Sequence, residues 1–333
     1  MAEAAIWEEA EAKAQLRAGK GRVVIIGAGS VGATYAFQLM NSGLVSEICI
    51  IDIDQRRTEG EVMDLSHGAS FVPPVRIWAG DYPDCRGADL VVITAGARQK
   101  PGQTRLDLVA ANYRIFQAMI PKITAYTKDA LLLVVTNPVD VMTYLAYRLS
   151  GLPARQVLGS GTVLDTSRLR YLLSQHCRID PRNVHAYIVG EHGDSELAVW
   201  SLANIAGMRL SEYCPSCQRH CERSVREEIL GQVRGAAYEI IQRKGATCYA
   251  VALAMQEITE ALLRDQRSVL TVSCYLENYF GISDLCLSVP AVVAREGVER
   301  IFPLELNAQE KEQLLQSAKV LREIISQLGL GAR

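Results

Sequence analysis

His192 lies between Glu191 and Gly193-Asp194, directly after the strand-like run His185-Ala-Tyr-Ile-Val-Gly190. An imidazole has an ordinary proton affinity near neutrality, so a histidine in this setting can give and take a proton during a reaction. A polar turn at a strand end is the alternative. A second run, Asp165-Thr-Ser-Arg168, ends 24 residues earlier. On a helix, Asp165 and Arg168 fall on neighbouring turns of one side. As an exposed ion pair they would contribute little. A proton-carrying histidine, however, needs an acceptor that fixes its tautomer, and an anionic substrate needs a planar two-pronged donor. One helix can supply both.

The elements that must position these groups begin with Arg22-Val-Val-Ile-Ile26, a short apolar strand leading into Gly27-Ala-Gly29-Ser-Val-Gly32. Val31, Tyr35 and Leu39 then recur every four residues, which predicts a helix with one apolar face. In the order strand, turn, helix, Gly27 permits the tight turn, Gly29 leaves room for a pyrophosphate, and Gly32 lets helix and sheet approach. The amides that open the helix can hold anionic oxygens. A second strand, Glu47-Ile-Cys-Ile-Ile51, ends at Asp52, which follows Gly32 by 20 residues. That is where a carboxylate bonds an adenosine ribose diol, and where it would repel a 2'-phosphate. NAD is therefore favoured over NADP, with Arg56 and Arg57 weakening the preference and Asp54 competing for the ribose contact.

Ala88–Thr94 and Ala130–Thr136 are nearly continuous apolar runs, as expected of parallel strands covered on both faces. They end at Ala95-Gly96-Ala97 and Asn137-Pro138, which puts small or polar residues at the edge where open α/β sheets bind ligands. Asn137 is either a turn former before proline or an amide reaching the nicotinamide end of the cofactor. Between them, 106–126 reads as one or two helices interrupted near Pro121.

After Gly159-Ser-Gly161 the pattern changes. Residues 162–175 are predicted helical, Val184–Val189 and Glu196–Trp200 strand-like, and 213–219 a loop. A long helix over 225–242 leads to Lys244-Gly-Ala-Thr247 and a further helix to about Arg264. Strands follow over 268–275 and 287–294. Asn307 and Glu310 are spaced as a capping box for a closing helix that Gly329 stops. The expected fold class is α/β: a Rossmann-type doubly wound parallel sheet over 21–159, followed by an α+β substrate domain over 160–333. The helix after 247 is expected to return to the cofactor domain.

With 49% apolar and 22% charged residues the chain reads as an ordinary soluble globular protein of one large or two medium domains. A net charge of −2 with scattered Lys and Arg gives a nucleic-acid surface nothing to rest on. No apolar run suits a bilayer span, and residues 1–20 lack the apolar centre of a secretion signal, reading as a helical arm or a frayed tail. Cys214, Cys217, His220 and Cys221 superficially suggest zinc, but adjacent His220 and Cys221 make poor joint ligands and a second pair is missing. No metal is expected. The odd count of nine cysteines favours free thiols in a reducing, cytoplasmic compartment.

The chain resembles the L-lactate dehydrogenases, most closely their bacterial members, across nearly its full length. The matching stretches, in order, are Gly27–Gly32, Met63-Asp-Leu-Ser-His-Gly68, Thr94–Arg105, Val135-Thr-Asn-Pro-Val139, Gly161–Arg168, Gly190-Glu-His-Gly-Asp194 and Lys244-Gly-Ala-Thr247. The resemblance implies reversible hydride transfer between NADH and pyruvate, in glycolysis and pyruvate fermentation. It implies His192 as acid/base, Asp165 as its partner, Arg168 as the clamp on the substrate carboxylate, and Arg105 as a charge brought to the carbonyl by a closing segment. Asn137 would position nicotinamide ribose and substrate, with Thr247 and Val251 lining the nicotinamide side. Malate dehydrogenases of this fold carry an arginine six positions before the loop arginine, where this chain has Gln99. An extra carboxylate there would be desolvated without a countercharge. Arg98 next door keeps a malate or broad 2-hydroxy acid activity open, and a non-catalytic relative is the other alternative. Arg170 and His185 match the family's fructose 1,6-bisphosphate positions, implying an allosteric homotetramer.

Overall fold

The structure, a computed structural model, describes residues 21–97, 105–216 and 222–329, with Arg105, Pro215 and Ser216 described by backbone alone. Gln99, Arg98, Cys217, His220, Cys221 and the N-terminal arm lie outside them.

The first half alternates strand and helix: β1 (Arg22–Ile26), α1 (Ser30–Ser42), β2 (Glu47–Ile51), α2 (Gln55–His67), β3 (Arg76–Ala79) and β4 (Leu90–Ile93). Then come α3 (Arg105–Thr124), β5 (Leu131–Val134), α4 (Val139–Ser150) and β6 (Val157–Gly159). These six strands are parallel in the order β3-β2-β1-β4-β5-β6, so the direction in which strands are added across the sheet switches between β1 and β4. All of β4 and β5 is buried, which explains their unbroken apolar sequence. Strand β3 is a half-exposed edge without such a run, so the sequence does not announce it. The guanidinium groups of Arg22 and Arg76 each stand over its Trp78, at 5.6 and 4.8 Å from the ring centre. Pro121 does not divide the predicted helix: α3 runs through it and closes three residues later, where the lost donor falls in the last turn.

The second half adds α5 (Val163–Cys177), the short strands β7 (Val184–His185), β8 (Ile188–Val189), β9 (Leu197–Ala198), β10 (Asn204–Ile205) and β11 (Met208–Arg209), and α6 (Leu210–Ser216). The helices α7 (Arg223–Lys244) and α8 (Tyr249–Leu263), the strands β12 (Ser268–Leu276), β13 (Leu285–Ala294) and β14 (Gly297–Ile301), and α9 (Ala308–Gln327) complete the fold. Two expectations need correction. Residues 184–189 form two two-residue strands in different small sheets, and the region read as a loop from Tyr213 begins inside α6. The larger difference is in the sheet. β12, β13 and β14 extend the nucleotide-type sheet to nine strands, because β12 pairs antiparallel with β6 through Ser273 and Gly159. α8 returns to the first half, where Tyr35 Oη and Thr259 Oγ1 meet at 2.6 Å in a buried contact with α1. The Asn307/Glu310 capping box is present at the start of α9. No described helix is long and apolar enough to cross a membrane.

Candidate active site

Asp165, in the first turn of α5, is 2% exposed and holds two cationic partners at once. Its Oδ2 lies 2.5 Å from His192 Nδ1, and its Oδ1 accepts from Arg168 Nη1 at 2.7 Å. The spacing of three that the sequence offers thus becomes one carboxylate joining a helix to a distant loop. Burial works to raise the Asp165 pKa, but the charge and hydrogen bond of His192, then those of Arg168, outweigh it and hold the carboxyl below its ordinary value. For His192 burial works downward; it is overcome first by the charge and hydrogen bond of Asp165, then by Asp140 and Glu196, which raise the imidazole to about 9. The site therefore keeps a proton on His192 at neutral pH while 24% of the side chain stays accessible to a reactant.

Three consecutive residues of the histidine loop are pinned to three different elements. Gly190 exchanges backbone hydrogen bonds with Ser288 on β13, at 2.8 and 3.2 Å. Glu191 N donates to Ser317 Oγ on α9 at 2.7 Å, and His192 N donates to Asp140 Oδ2 on α4 at 2.7 Å. Asp140 is itself buried and accepts from Ser288 Oγ at 2.8 Å. Burial raises its pKa against the backbone bond from His192 and the side-chain bonds. Sequence reading missed Asp140 and Ser317. Their signal is weak, since a polar residue in a helix reads as a surface residue until the fold buries it.

The glycine turn fits a dinucleotide. Gly27 has φ +117°, and a Cβ on Gly32 would stand 1.9 Å from Gly27 O, so α1 packs against the turn only because both lack side chains. A Cβ on Gly29 would meet no protein atom within 4 Å, and Gly29 caps α1 without a side-chain bond, which leaves the helix amides facing open space. Asp52 is fixed at the strand end by accepting from Ala28 N at 2.7 Å and Asp54 N at 3.0 Å. Its competitor Asp54 is committed to capping α2, accepting from Arg57 N at 3.1 Å. Val31 is half-buried at the start of α1. On the sheet's carboxyl edge, Asn112 is buried and ties two approaching segments together: its side chain accepts from Ala97 N at 2.7 Å and donates to Asn137 O at 2.8 Å. Asn112 was not singled out from sequence, because a lone amide inside a helix carries no motif.

The remaining residues of the set are placed less directly. Arg105 opens α3, Thr247 is half-buried just before α8, and Val251 packs against the main core from the first turn of α8. Asp165, His192 and Glu196 bring ligand atoms within 4.8 Å of one another, but the guanidinium of Arg168 already occupies Asp165, so the cluster is an ion-pair network.

Two family models cover the chain: the lactate/malate dehydrogenase NAD binding domain over residues 21–159, and the lactate/malate dehydrogenase alpha/beta C-terminal domain over 162–329. The chain belongs to the lactate/malate dehydrogenase family. Among curated members, it is 54% identical over 307 residues to L-lactate dehydrogenase 1 of Clostridium acetobutylicum, covering 92% of this chain and 98% of that one. It is 55% identical over 309 residues to the L-lactate dehydrogenase of Acetivibrio thermocellus, covering 93% and 98%. Among solved structures, a lactate dehydrogenase from a Medee basin deep-sea metagenome library superposes with TM-score 0.90 at 44% identity, covering 93% of this chain and 99% of that one. The minor L-lactate dehydrogenase of Enterococcus mundtii, in ligand-bound form, gives 0.90 at 40% identity over the same shares. As a member of this family, the chain carries its NAD-binding domain on the half that holds the glycine turn and Asp52.

Proposed function

We propose that this protein is an NAD-dependent L-lactate dehydrogenase, interconverting pyruvate and L-lactate, with His192, Asp165, Arg168 and Arg105 as its catalytic side chains. The observation that carries the reading is the pair of hydrogen bonds to Asp165, from His192 and from Arg168, which puts a proton donor and a carboxylate receptor on one buried acid. The names of the relatives, at 54% and 55% identity over nearly the whole chain, support pyruvate and lactate as the substrates.

NADH, when bound, supplies the hydride to the substrate's carbonyl carbon. Because His192 Nδ1 faces Asp165, Nε2 is the nitrogen left for the substrate; as imidazolium it gives its proton to the carbonyl oxygen, and as imidazole it withdraws the hydroxyl proton in the reverse direction. Arg168 Nη1 keeps a second hydrogen beyond the one given to Asp165, so the Nη1–Nη2 edge can still grip a carboxylate with two bonds. Arg105 adds charge at the carbonyl when its segment closes and water leaves. Gly27, Gly29, Val31, Gly32 and Asp52 hold the adenosine and pyrophosphate end, and Asn137, Thr247 and Val251 the nicotinamide end. Gln99, standing where malate dehydrogenases of this fold carry an arginine, supplies no countercharge and so selects against a second carboxylate.

The working division is an arm over 1–20, a cofactor domain over 21–159 and a substrate domain over 160–333, in a cytoplasmic homotetramer. Arg170 and His185 form its fructose 1,6-bisphosphate site. Arg170 Nε donates to the carbonyl of Ala186, the neighbour of His185, and its guanidinium stands 5.7 Å from the ring centre of Tyr187. Nearby on α8, Tyr249 and Leu253 are 70% and 54% exposed, apolar surface suited to a partner subunit.

Mixing the purified protein with NADH and pyruvate tests the reading: absorbance of the reduced nicotinamide falls. Unchanged absorbance with and without fructose 1,6-bisphosphate would refute the enzyme. A higher kcat/KM for oxaloacetate would move the protein to the malate side of its family.

A further inference from the structure

The proton network contains a group that the reaction above does not use. Glu196 follows His192 by four residues, is 1% exposed, and has its Oε1 without a hydrogen-bond partner among the described residues. A carboxylate oxygen of Glu196 lies within 4.8 Å of ligand atoms on both Asp165 and His192. The nearby guanidinium of Arg234, on α7, donates to the backbone oxygen of Glu196. Burying an acid without pairing it is costly, and a residue serving only to fill this space would be apolar or an amide.

We propose that Glu196 is a positioning residue for the proton on His192: its buried carboxyl, facing imidazole and Asp165 together, sets through its charge the pH at which pyruvate reduction gives way to lactate oxidation. The inference rests on His192 being the proton donor.

The groups facing Glu196 are Asp165 and Arg168 on α5, His192 on its loop and Arg234 on α7. Burial first and the charge of Asp165 second raise Glu196 to about 8, against the lowering by His192, Arg234 and Arg168. The groups acting on His192 are Asp165, Asp140 from α4, and Glu196. The influence is reciprocal, as coupling between two titrating sites requires. Above about 8 the ionised Glu196 adds negative charge beside the imidazolium and holds the proton on; below that pH the carboxyl is neutral and adds nothing. When His192 surrenders its proton, the positive charge facing Glu196 disappears, and the carboxyl in turn holds a proton more firmly.

The test is Glu196→Gln, which keeps the shape and removes the charge. The alkaline limb of kcat/KM for pyruvate should move to lower pH by roughly one unit, and the acid limb for lactate should move the same way. Glu196→Asp, which keeps the charge, should return both limbs most of the way, with NADH affinity and melting temperature near wild type in each variant. A residue that merely supports the fold would lower kcat at every pH and leave the limbs in place. Limbs of an active Glu196→Gln enzyme at the wild-type pH would overturn the proposal while leaving the enzyme reading intact. A wild-type protein that does not reduce pyruvate would overturn both. Should Glu196→Gln fail to fold, Glu196→Met, uncharged and of similar length, decides: both limbs should move to lower pH as for the amide, and limbs at the wild-type pH would refute the proposal.

Discussion

At the scale of single residues, the acid/base role proposed for His192 makes its proton the switch between the two directions of the reaction. Its imidazole is raised to about 9, with burial opposing and Asp165 prevailing, so at neutral pH the resting protein is armed for reduction. The sign follows directly. Pyruvate reduction consumes the imidazolium and is lost as pH rises through about 9, whereas lactate oxidation needs the neutral ring and is lost as pH falls through the same value. Steady-state rates in both directions across that range check it, and rates that rise or fall together with pH in the two directions would mean another group is being titrated. Replacing the ring sharpens the point. His192→Asn should lower turnover by roughly 100- to 10,000-fold, because an amide cannot supply the proton. NADH affinity, measured by fluorescence titration, should remain within a few-fold of wild type, since the glycine turn and Asp52 are untouched; equal loss of both would mark His192 as structural.

At the scale of elements, what was legible in the sequence is what repeats locally. The strand-turn-helix at Gly27–Gly32, the acid ending β2 and the paired Asp165 and Arg168 declare themselves through spacing alone. β6 does not, being three residues long, and neither do Asp140 and Ser317, whose bonds exist only once α4, α9 and the histidine loop meet, nor Glu196, which faces Asp165 and His192 only once α5 and that loop meet. The extension of the sheet by β12 to β14 was also hidden, because its decisive pairing is a single contact between Gly159 and Ser273, distant in the chain. Where a motif is local, its energetics can be tested locally. Gly32→Ala puts a methyl group 1.9 Å from Gly27 O, so either α1 or the turn must move. Overpacking of this kind costs about 1–3 kcal/mol. The displaced amides should weaken NADH binding at least about ten-fold, as expected when a phosphate-facing helix start loses its register. A thermal melt with and without NADH separates the two effects; unchanged affinity would mean the glycine is not needed for the cofactor's approach.

At the scale of the whole molecule, the proposed tetramer would connect assembly to catalysis through the exposed surface of α8. α8 touches the cofactor half through Tyr35 and Thr259, and it begins just after Thr247, at the substrate end, so a partner pressing on Tyr249 and Leu253 would act on both halves at once. Arg170 faces this region from α5, in the same helix as Asp165 and Arg168, with Glu257 of α8 among the charges that act on it. Burial holds the Arg170 guanidinium below its ordinary proton affinity, although it stays charged. An arriving phosphate would offset that burial cost with a charge-assisted pair, and one such cation from each subunit facing a symmetric interface would favour the assembled form over the separate one. A ligand shifts that equilibrium only by its difference in affinity for the two forms. Sedimentation velocity should therefore show a shift toward the tetramer on adding fructose 1,6-bisphosphate, together with a lower KM for pyruvate. Arg170→Ala should abolish both shifts, since the anion would lose its buried cation. A wild-type protein whose sedimentation and KM ignore the bisphosphate would leave Arg170 as a packing residue, its hydrogen bond to Ala186 serving only to fasten α5 to the segment carrying His185.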